Sequence, residues 1–302
     1  MNLKLSNEVK IALKNKLPIV ALESTLISHG LPYPQNIEVV YSSIEAVKKS
    51  GSVPAIIAVI NGNVKVGLNE KNIEMLSKNN NVLKVSKHNL AIAVNNKLNA
   101  ATTVASTIFI AEKIGINFFS TGGIGGVHYG AENTYDISAD LNELSKTKMF
   151  VISSGPKSIL DIGKTYEKLE TLQIPRIGYK TNFIPGFWYY QTNKKVDYNF
   201  KSIDSLSKYL ISYESIEQKN SVLIFNKIEK KQTVKKEKIE KWINILMKKA
   251  NQKNIQGKDL TPYLIKEINL LSNNKTLDVN KKLIINNAKL AGKIAFKYNS
   301  IK

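Results

Sequence analysis

The chain has 302 residues, 43% of them hydrophobic and 23% charged, with no cysteine and a formal net charge of +20. That composition buries a sizeable core and excludes a mostly disordered chain. The absence of cysteine excludes disulfides, thiolate nucleophiles, iron–sulfur clusters and cysteine zinc sites, and it suits a reducing compartment. The start, MNLKLSNEVKIALKNKLP, lacks the continuous apolar stretch of a signal peptide, so a cytoplasmic location is expected. No apolar run reaches the roughly 18 residues of a membrane-spanning helix.

Short apolar strand candidates alternate with helical patterns through residue 180, which predicts parallel βα units. Ile19 to Leu22 follow Pro18 and read as a buried strand ending at Glu23. Residues 36–49 carry Ile37, Val40, Ile44 and Val47 at helical spacing, and Gly51 stops them. In AIIAVINGNVKVGL, Asn61-Gly62 between two apolar runs predicts a tight hairpin, because a type I′ turn needs positive φ at both central residues. Residues 103–114 form an apolar helix ended by Gly115, and Asn117 to Ser120 form a strand that runs into TGGIGGVHYG. Ser138 is placed to cap a helix at 136–146, with Asp140 in its first turn. Met149 to Ile152 form another strand, and SSGPKSILDIGKTYEKLETLQ turns from loop into helix. Residues 181–235 are less regular, and the last helix spans about 281–298. No internal repeat and no Gly/Ser/Pro linker divides the chain, so one α/β domain over 1–302 is expected.

The positive charge invites a nucleic-acid reading, but Arg176 is the sole arginine among 44 basic residues, and readers of phosphates and bases rely on arginine's planar fork. The excess is uneven, +4 over 1–150 and +16 over 151–302. Its densest part, 227–249, places Ile228, Val234, Ile239, Trp242, Ile243 and Leu246 at helical spacing with lysines opposite. That pattern reads as a solvated surface helix, with a patch for an acidic partner as the competing reading.

Unusual residues crowd where predicted strands end, which is where open α/β sheets build their sites. Glu23 at the mouth of a buried strand is either a general acid with a raised pKa or a structural carboxylate. The four glycines of TGGIGG are either a plain turn or a backbone cradle for an anion; they match neither the dinucleotide fingerprint nor the P-loop. Asp136 and Asp140 can hold a hard divalent ion through oxygen and water, or can serve a helix start. Lys157, in SSGPKS, is either a surface lysine or a nucleophile for a sugar aldehyde. His29 and His128 lie in loops near the same ends, and no histidine pair has the spacing of a helical zinc site.

The strings ALESTLISHGLPYPQN (21–36), VPAIIAVINGNVKVGL (53–68), KVSKHNL (84–90), NAATTVASTI (99–108), TGGIGGVHYGAENTYDISADLNEL (121–144), SSGPKSILDIGKTYEKLET (153–171) and GKDLTPYLIKEI (257–268) together resemble the pseudouridine-5′-phosphate glycosidase family, also called indigoidine synthase A-like. The likeness is strong over 8–180, recognisable over 255–298 and loose over 181–254. It implies a three-layer α/β/α fold with a mostly parallel mixed sheet, assembled as a homotrimer. It implies reversible cleavage of the C–C glycosidic bond of pseudouridine 5′-phosphate to uracil and ribose 5-phosphate. By the same resemblance Lys157 forms an imine with the opened ribose, and Glu23 is the proton donor. Asp136 holds Mn²⁺, or another divalent metal, one per subunit. Lys84, Val104, Ser138, Ala139 and Asp140 are implied substrate contacts, with Asn287 matching an active-site asparagine; His128, from its place near the site, joins them as a candidate. No membrane and no specific nucleic acid are expected as partners, from the short apolar runs and the scarcity of arginine.

Three positions depart from the family pattern: Pro156 in place of alanine before the lysine, Tyr129 in place of arginine, and Lys87-His88-Asn89 in place of two arginines and an aspartate. The segment near Asn226 also lacks the family's proline-rich loop. Two other functions stay open on sequence: a metal-assisted sugar-phosphate lyase or aldolase using the same residues, and a basic nucleic-acid-binding protein.

Overall fold

The computed structural model describes residues 3–79, 81–255 and 260–302; residues 257–259 of the motif GKDLTPYLIKEI therefore lie outside the described residues. Eleven strands among these form one sheet: β1 (Leu3–Leu5), β2 (Ile19–Glu23), β3 (Val53–Ile60), β4 (Asn63–Val66), β5 (Leu83–Val85), β6 (Ala100–Thr102), β7 (Phe118–Ser120), β8 (Phe150–Ser153), β9 (Arg176–Tyr179), β10 (Tyr198–Phe200) and β11 (Val222–Asn226). The spatial order is β1-β4-β3-β2-β7-β8-β11-β9-β10, with β6 also on β3 and β5 on β6. Only the pairings of β3 with β4 and with β6 are antiparallel. The β3–β4 hairpin turns at Asn61 (φ 48°) and Gly62 (φ 73°), the positive pair that the Asn-Gly signal requires.

Strand side chains alternate between two cores, as a sheet covered on both faces demands. Ile19 and Ala21 of β2, Ile57 and Val59 of β3, and Leu223 and Phe225 of β11 enter one core with the helices Asn7–Lys14, Val104–Glu112, Ala139–Leu144 and Ile162–Thr171. Val20 and Leu22, Ile56 and Ala58, and Val222 and Ile224 enter the other, with the helices Gln35–Lys48, Glu70–Lys78, Ile203–Ser215 and Lys275–Ile301. This is the expected α/β/α layering. A third core joins Phe187, Trp188 and Tyr189 to the helices Lys236–Gln252 and Leu260–Leu271 and to the first half of Lys275–Ile301. Trp188 anchors it by donating its indole N–H to Asn280 at 2.7 Å.

Several sequence expectations change here. The irregular 181–235 region contains β10, the helix Ile203–Ser215 and β11, and β11 lies inside the sheet between β8 and β9. The lysine-rich helix starts at Lys236, not at 227. Ile228 and Val234 are buried, but on the segment before it, because the Val234 amide donates to the Trp188 carbonyl at 2.9 Å and holds the chain extended there. Ile239, Ile243 and Leu246 do bury on the third core, which makes this a surface helix with its lysines outward. The last helix starts earlier and ends later than expected, at Lys275 and Ile301. Arg176, the lone arginine, is buried against Asp197 and Glu170 and stacks on Tyr166, so it is a structural residue. No helix among the described residues is long and apolar enough to cross a membrane.

Candidate active site

The C-terminal ends of β2, β5, β7, β8 and β11 gather the residues of interest. Glu23 closes β2 and is 7% exposed. The Thr25 hydroxyl donates to its Oε2 and the Thr121 hydroxyl to its Oε1. An apolar cavity lined by Leu22, Leu26, Val40, Ile56 and Ile284 lies against it. Burial in these surroundings pushes the Glu23 pKa up, opposed by the Lys157 charge and by the two hydroxyls, and reinforced by Asp140. A carboxyl raised in this way can carry a proton and give it up, as a general acid must.

Lys157 follows β8 on a loop that Gly155 turns at φ 90°, a left-handed conformation that suits glycine. Its amide donates to the Ile124 carbonyl at 3.1 Å, and Pro156 forms a bridge with Ile124. The proline therefore sits where the loop needs no amide from it. The side chain is half-buried, and its amine makes no hydrogen bond or salt bridge among the described residues. Its charge acts on Glu23, Lys84 and His128 together, which places all four in one cluster. Lys84 lies on β5 with an exposed side chain; desolvation around its amine, then the Lys157 charge, push its pKa down, while Asp140 and Glu23 oppose.

His128 is buried, and its Nδ1 has no hydrogen-bond partner. Burial lowers its pKa, Asp136 resists, and Lys157 and Lys84 add to the lowering, so the neutral imidazole is favoured. Asp136 is half-buried; its carbonyl accepts from the His128 amide, while its carboxylate makes no hydrogen bond or salt bridge among the described residues. No group of three His, Asp or Glu residues converges on a common metal position among the described residues.

The glycine loop resolves differently from either sequence reading. A Cβ on Gly125 would lie 2.1 Å from Ser138 Oγ, one on Gly126 2.5 Å from Thr165 Oγ1, and one on Gly123 2.6 Å from the Phe187 ring. The glycines allow close packing, and none of the four has positive φ. Asp140 fills the anion position itself. It is 6% exposed, with Oδ1 accepting from the Ala105 amide at 3.0 Å and Oδ2 from the Gly125 amide at 2.9 Å. It thereby ties the helix start at Val104 to the loop, while Ser138 caps the next helix by accepting from the Asp140 amide. Ala139 is exposed at that helix start.

Asn287 is fully buried, and its side-chain amide is engaged throughout. Nδ2 donates to the Thr121 carbonyl (2.8 Å), the Gly122 carbonyl (3.3 Å) and Ser154 Oγ (3.1 Å), and Oδ1 accepts from Asn226 Nδ2 (3.1 Å). Of the departing residues, Lys87 pairs with buried Glu143 at 3.0 Å and sits over Phe109, and Asn89 accepts from the Ser86 amide. Tyr129 lies at the rim. His29, in a π-helical turn (Leu26–Gly30), is exposed at its outer edge, and desolvation on the side of the ring that faces the fold, then the Lys84 charge, hold its pKa down. Sequence reasoning missed Thr25, Thr121, Ser154 and Asn226. The only local signal was their position at strand ends.

Comparison with known proteins agrees over nearly the whole chain. Residues 8–297 match the family described as "Indigoidine synthase A like protein". A pseudouridine-5′-phosphate glycosidase of Brachyspira hyodysenteriae is 44% identical over 299 residues, covering 99% of this chain and 97% of its own. One from Staphylococcus aureus is 45% identical over 296 residues, covering 98% and 96%. The crystal structure of the prealnumycin C-glycosynthase AlnA in complex with ribulose 5-phosphate superimposes with a TM-score of 0.92 at 33% identity, covering 99% of this chain and 97% of that one. An indigoidine synthase A-like protein of Thermotoga maritima gives 0.89 at 32% identity, covering 98% and 96%. A family match over residues 8–297, with relatives 44–45% identical over nearly their whole length, shows that the chain belongs to the indigoidine synthase A-like family.

Proposed function

We propose that this protein is a pseudouridine-5′-phosphate glycosidase, an enzyme acting on a C–C glycosidic bond, and that residues 1–302 work as one domain. The observation that carries the reading is the pairing of an unbonded, half-buried Lys157 amine with a dry Glu23 held by two hydroxyls. The names of the relatives and the sugar phosphate held by the AlnA structure support the substrate class.

In this reading the Lys157 amine attacks C1′ of the ribose while Glu23 gives its proton to the ring oxygen, so the C1′–O bond breaks and the ring opens. The new C1′–N bond sheds a proton that reloads Glu23. Protonation at C5 of uracil then accompanies C1′–C5 cleavage: the bonding pair goes to uracil, and the nitrogen lone pair closes the C=N bond. Water hydrolyses the imine, returning ribose 5-phosphate and the free amine. Nitrogen serves as the electron sink that a C-glycoside otherwise lacks, which is why one lysine and one carboxyl replace the usual carboxylate pair. Lys84 and the helix starts at Val104, Ser138 and Ala139 bind the sugar phosphate, with neutral His128 beside them, and Asp140 braces the sugar end of the site through the loop it ties. Asn287 fixes the backbone under the site.

The carboxylate of Asp136, whose charge acts on the His128 ring with its unpartnered Nδ1, fits a hard divalent ion that keeps most of its waters. Asp136 would hold it, Mn²⁺ by family likeness, and the ion supplies positive charge for the phosphate. A homotrimer and a cytoplasmic location belong to the same proposal. Incubating the purified protein with pseudouridine 5′-phosphate and Mn²⁺ should release uracil. Turnover of only a non-nucleoside sugar phosphate would favour the lyase or aldolase reading instead.

A further inference from the structure

The two hydroxyls on Glu23 are not equivalent. The Thr25 hydroxyl donates to Oε2 and to no other acceptor among the described residues. The Thr121 hydroxyl donates to Oε1 and has a second acceptor, the Gly123 carbonyl, at 3.5 Å. The Thr121 backbone is itself pinned, because its carbonyl accepts from Asn287 and its amide donates to the Ile152 carbonyl. The hydroxyl can therefore turn while its oxygen stays in place.

We propose that Thr121 is a positioning residue whose hydroxyl turns between Glu23 and Gly123, so that Glu23 carries its proton on Oε1. This rests on the role of Glu23 as the acid of the proposed reaction. In the carboxylate form the threonine O–H points at Oε1. When a proton arrives on Oε1, that new O–H donates to Thr121 Oγ1, and the threonine hydrogen turns to the Gly123 carbonyl. Only the arriving proton is gained, and no bond to carbon changes. Thr25 has no such alternative: it donates to Oε2 in both forms, more strongly to the carboxylate than to the carbonyl oxygen of the neutral acid, so its net effect favours the charged form. The charged groups facing Glu23 are Lys157 from the loop after β8, Asp140 from the helix Ala139–Leu144, and Lys84 from β5. None of them changes in the variants below.

The two threonines therefore differ in a measurable way. Carboxyl ¹³C NMR of the glutamate-labelled full chain follows the Glu23 titration directly, with Glu23→Gln assigning its signal. Thr25→Val removes a bond that is stronger to the charged form than to the neutral one and should raise the midpoint by about one pH unit, a tenfold change in proton affinity. Thr121→Val removes a partner from both forms and should shift the midpoint by less than half as much, while lowering kcat with KM unchanged. Thr121→Ser should restore both. Equal shifts, or a larger shift for Thr121→Val, would overturn the two-position hydroxyl. The Thr→Ala pair gives the same comparison if valine prevents folding. The titration needs no turnover, so unequal shifts without uracil release would sink the glycosidase reading and leave the hydroxyl switch standing.

Discussion

Replacing Asn287 with alanine should destabilise the protein through the strand ends that carry the site. Its side chain is fully buried and links the Thr121 and Gly122 carbonyls, Ser154 and Asn226. Ser154 keeps another partner, the Asn226 carbonyl at 2.9 Å. The Thr121 carbonyl and Asn226 Nδ2 lose theirs, and each buried group left unpaired costs about 1–3 kcal/mol, so the loss is about 2–6 kcal/mol. With an unfolding entropy near 2.1 cal/mol/K per residue, a chain of this length should lose about 3–9 °C in Tm. Asn287→Asp should cost at least as much, because a carboxylate would face two carbonyl oxygens. Differential scanning calorimetry checks both. A Tm within about 1 °C of wild type, outside what the lost bonds allow, would refute the reasoning and make Asn287 a substrate contact without a structural task.

Two further predictions concern the carboxyl and the glycine loop. Folding raises the Glu23 pKa above the 4.5 of a free glutamate, so the folded state binds more protons there than the unfolded state. This contribution is complete below the unfolded pKa and is lost as pH rises through the folded one. Thermal melts of Glu23→Gln against wild type should therefore show an advantage for the variant that grows from pH 4.5 upward; a constant difference would mean that Glu23 is not held protonated. Gly125→Ala would drive a Cβ to 2.1 Å from Ser138 Oγ and 2.8 Å from Asp140 Oδ2, and it should lower both Tm and turnover. Gly115→Ala meets nothing within 4 Å and should cost only the roughly 1 kcal/mol of its left-handed backbone. Comparable losses in the two variants would show that the glycine loop is not close-packed.

Local patterns carried much of the architecture. Ile19–Glu23 became β2, and Asn61-Gly62 made its hairpin, because both signals act over a few residues. The cluster of Glu23, Lys84, His128 and Lys157 was legible because parallel sheets place strand ends together. β11 was not, since Val222–Phe225 is a short apolar run whose identity is decided by its neighbours β8 and β9 rather than by its own pattern. Ile228 and Val234 mimicked helical spacing by coincidence, and the tertiary bond to Trp188 decided their conformation. The clamp on Glu23 was hidden for a related reason, since Thr121 is 98 residues from its partner and no local pattern announces that pair.

The central claim is that the Lys157 amine bonds to the sugar. Borohydride reduction during turnover of pseudouridine 5′-phosphate, followed by peptide mass spectrometry, should find a reduced ribose 5-phosphate adduct on Lys157 and on no other lysine, and Lys157→Ala should abolish both the adduct and uracil release. Full activity of Lys157→Ala, or an adduct elsewhere with Lys157 unmodified, would contradict it.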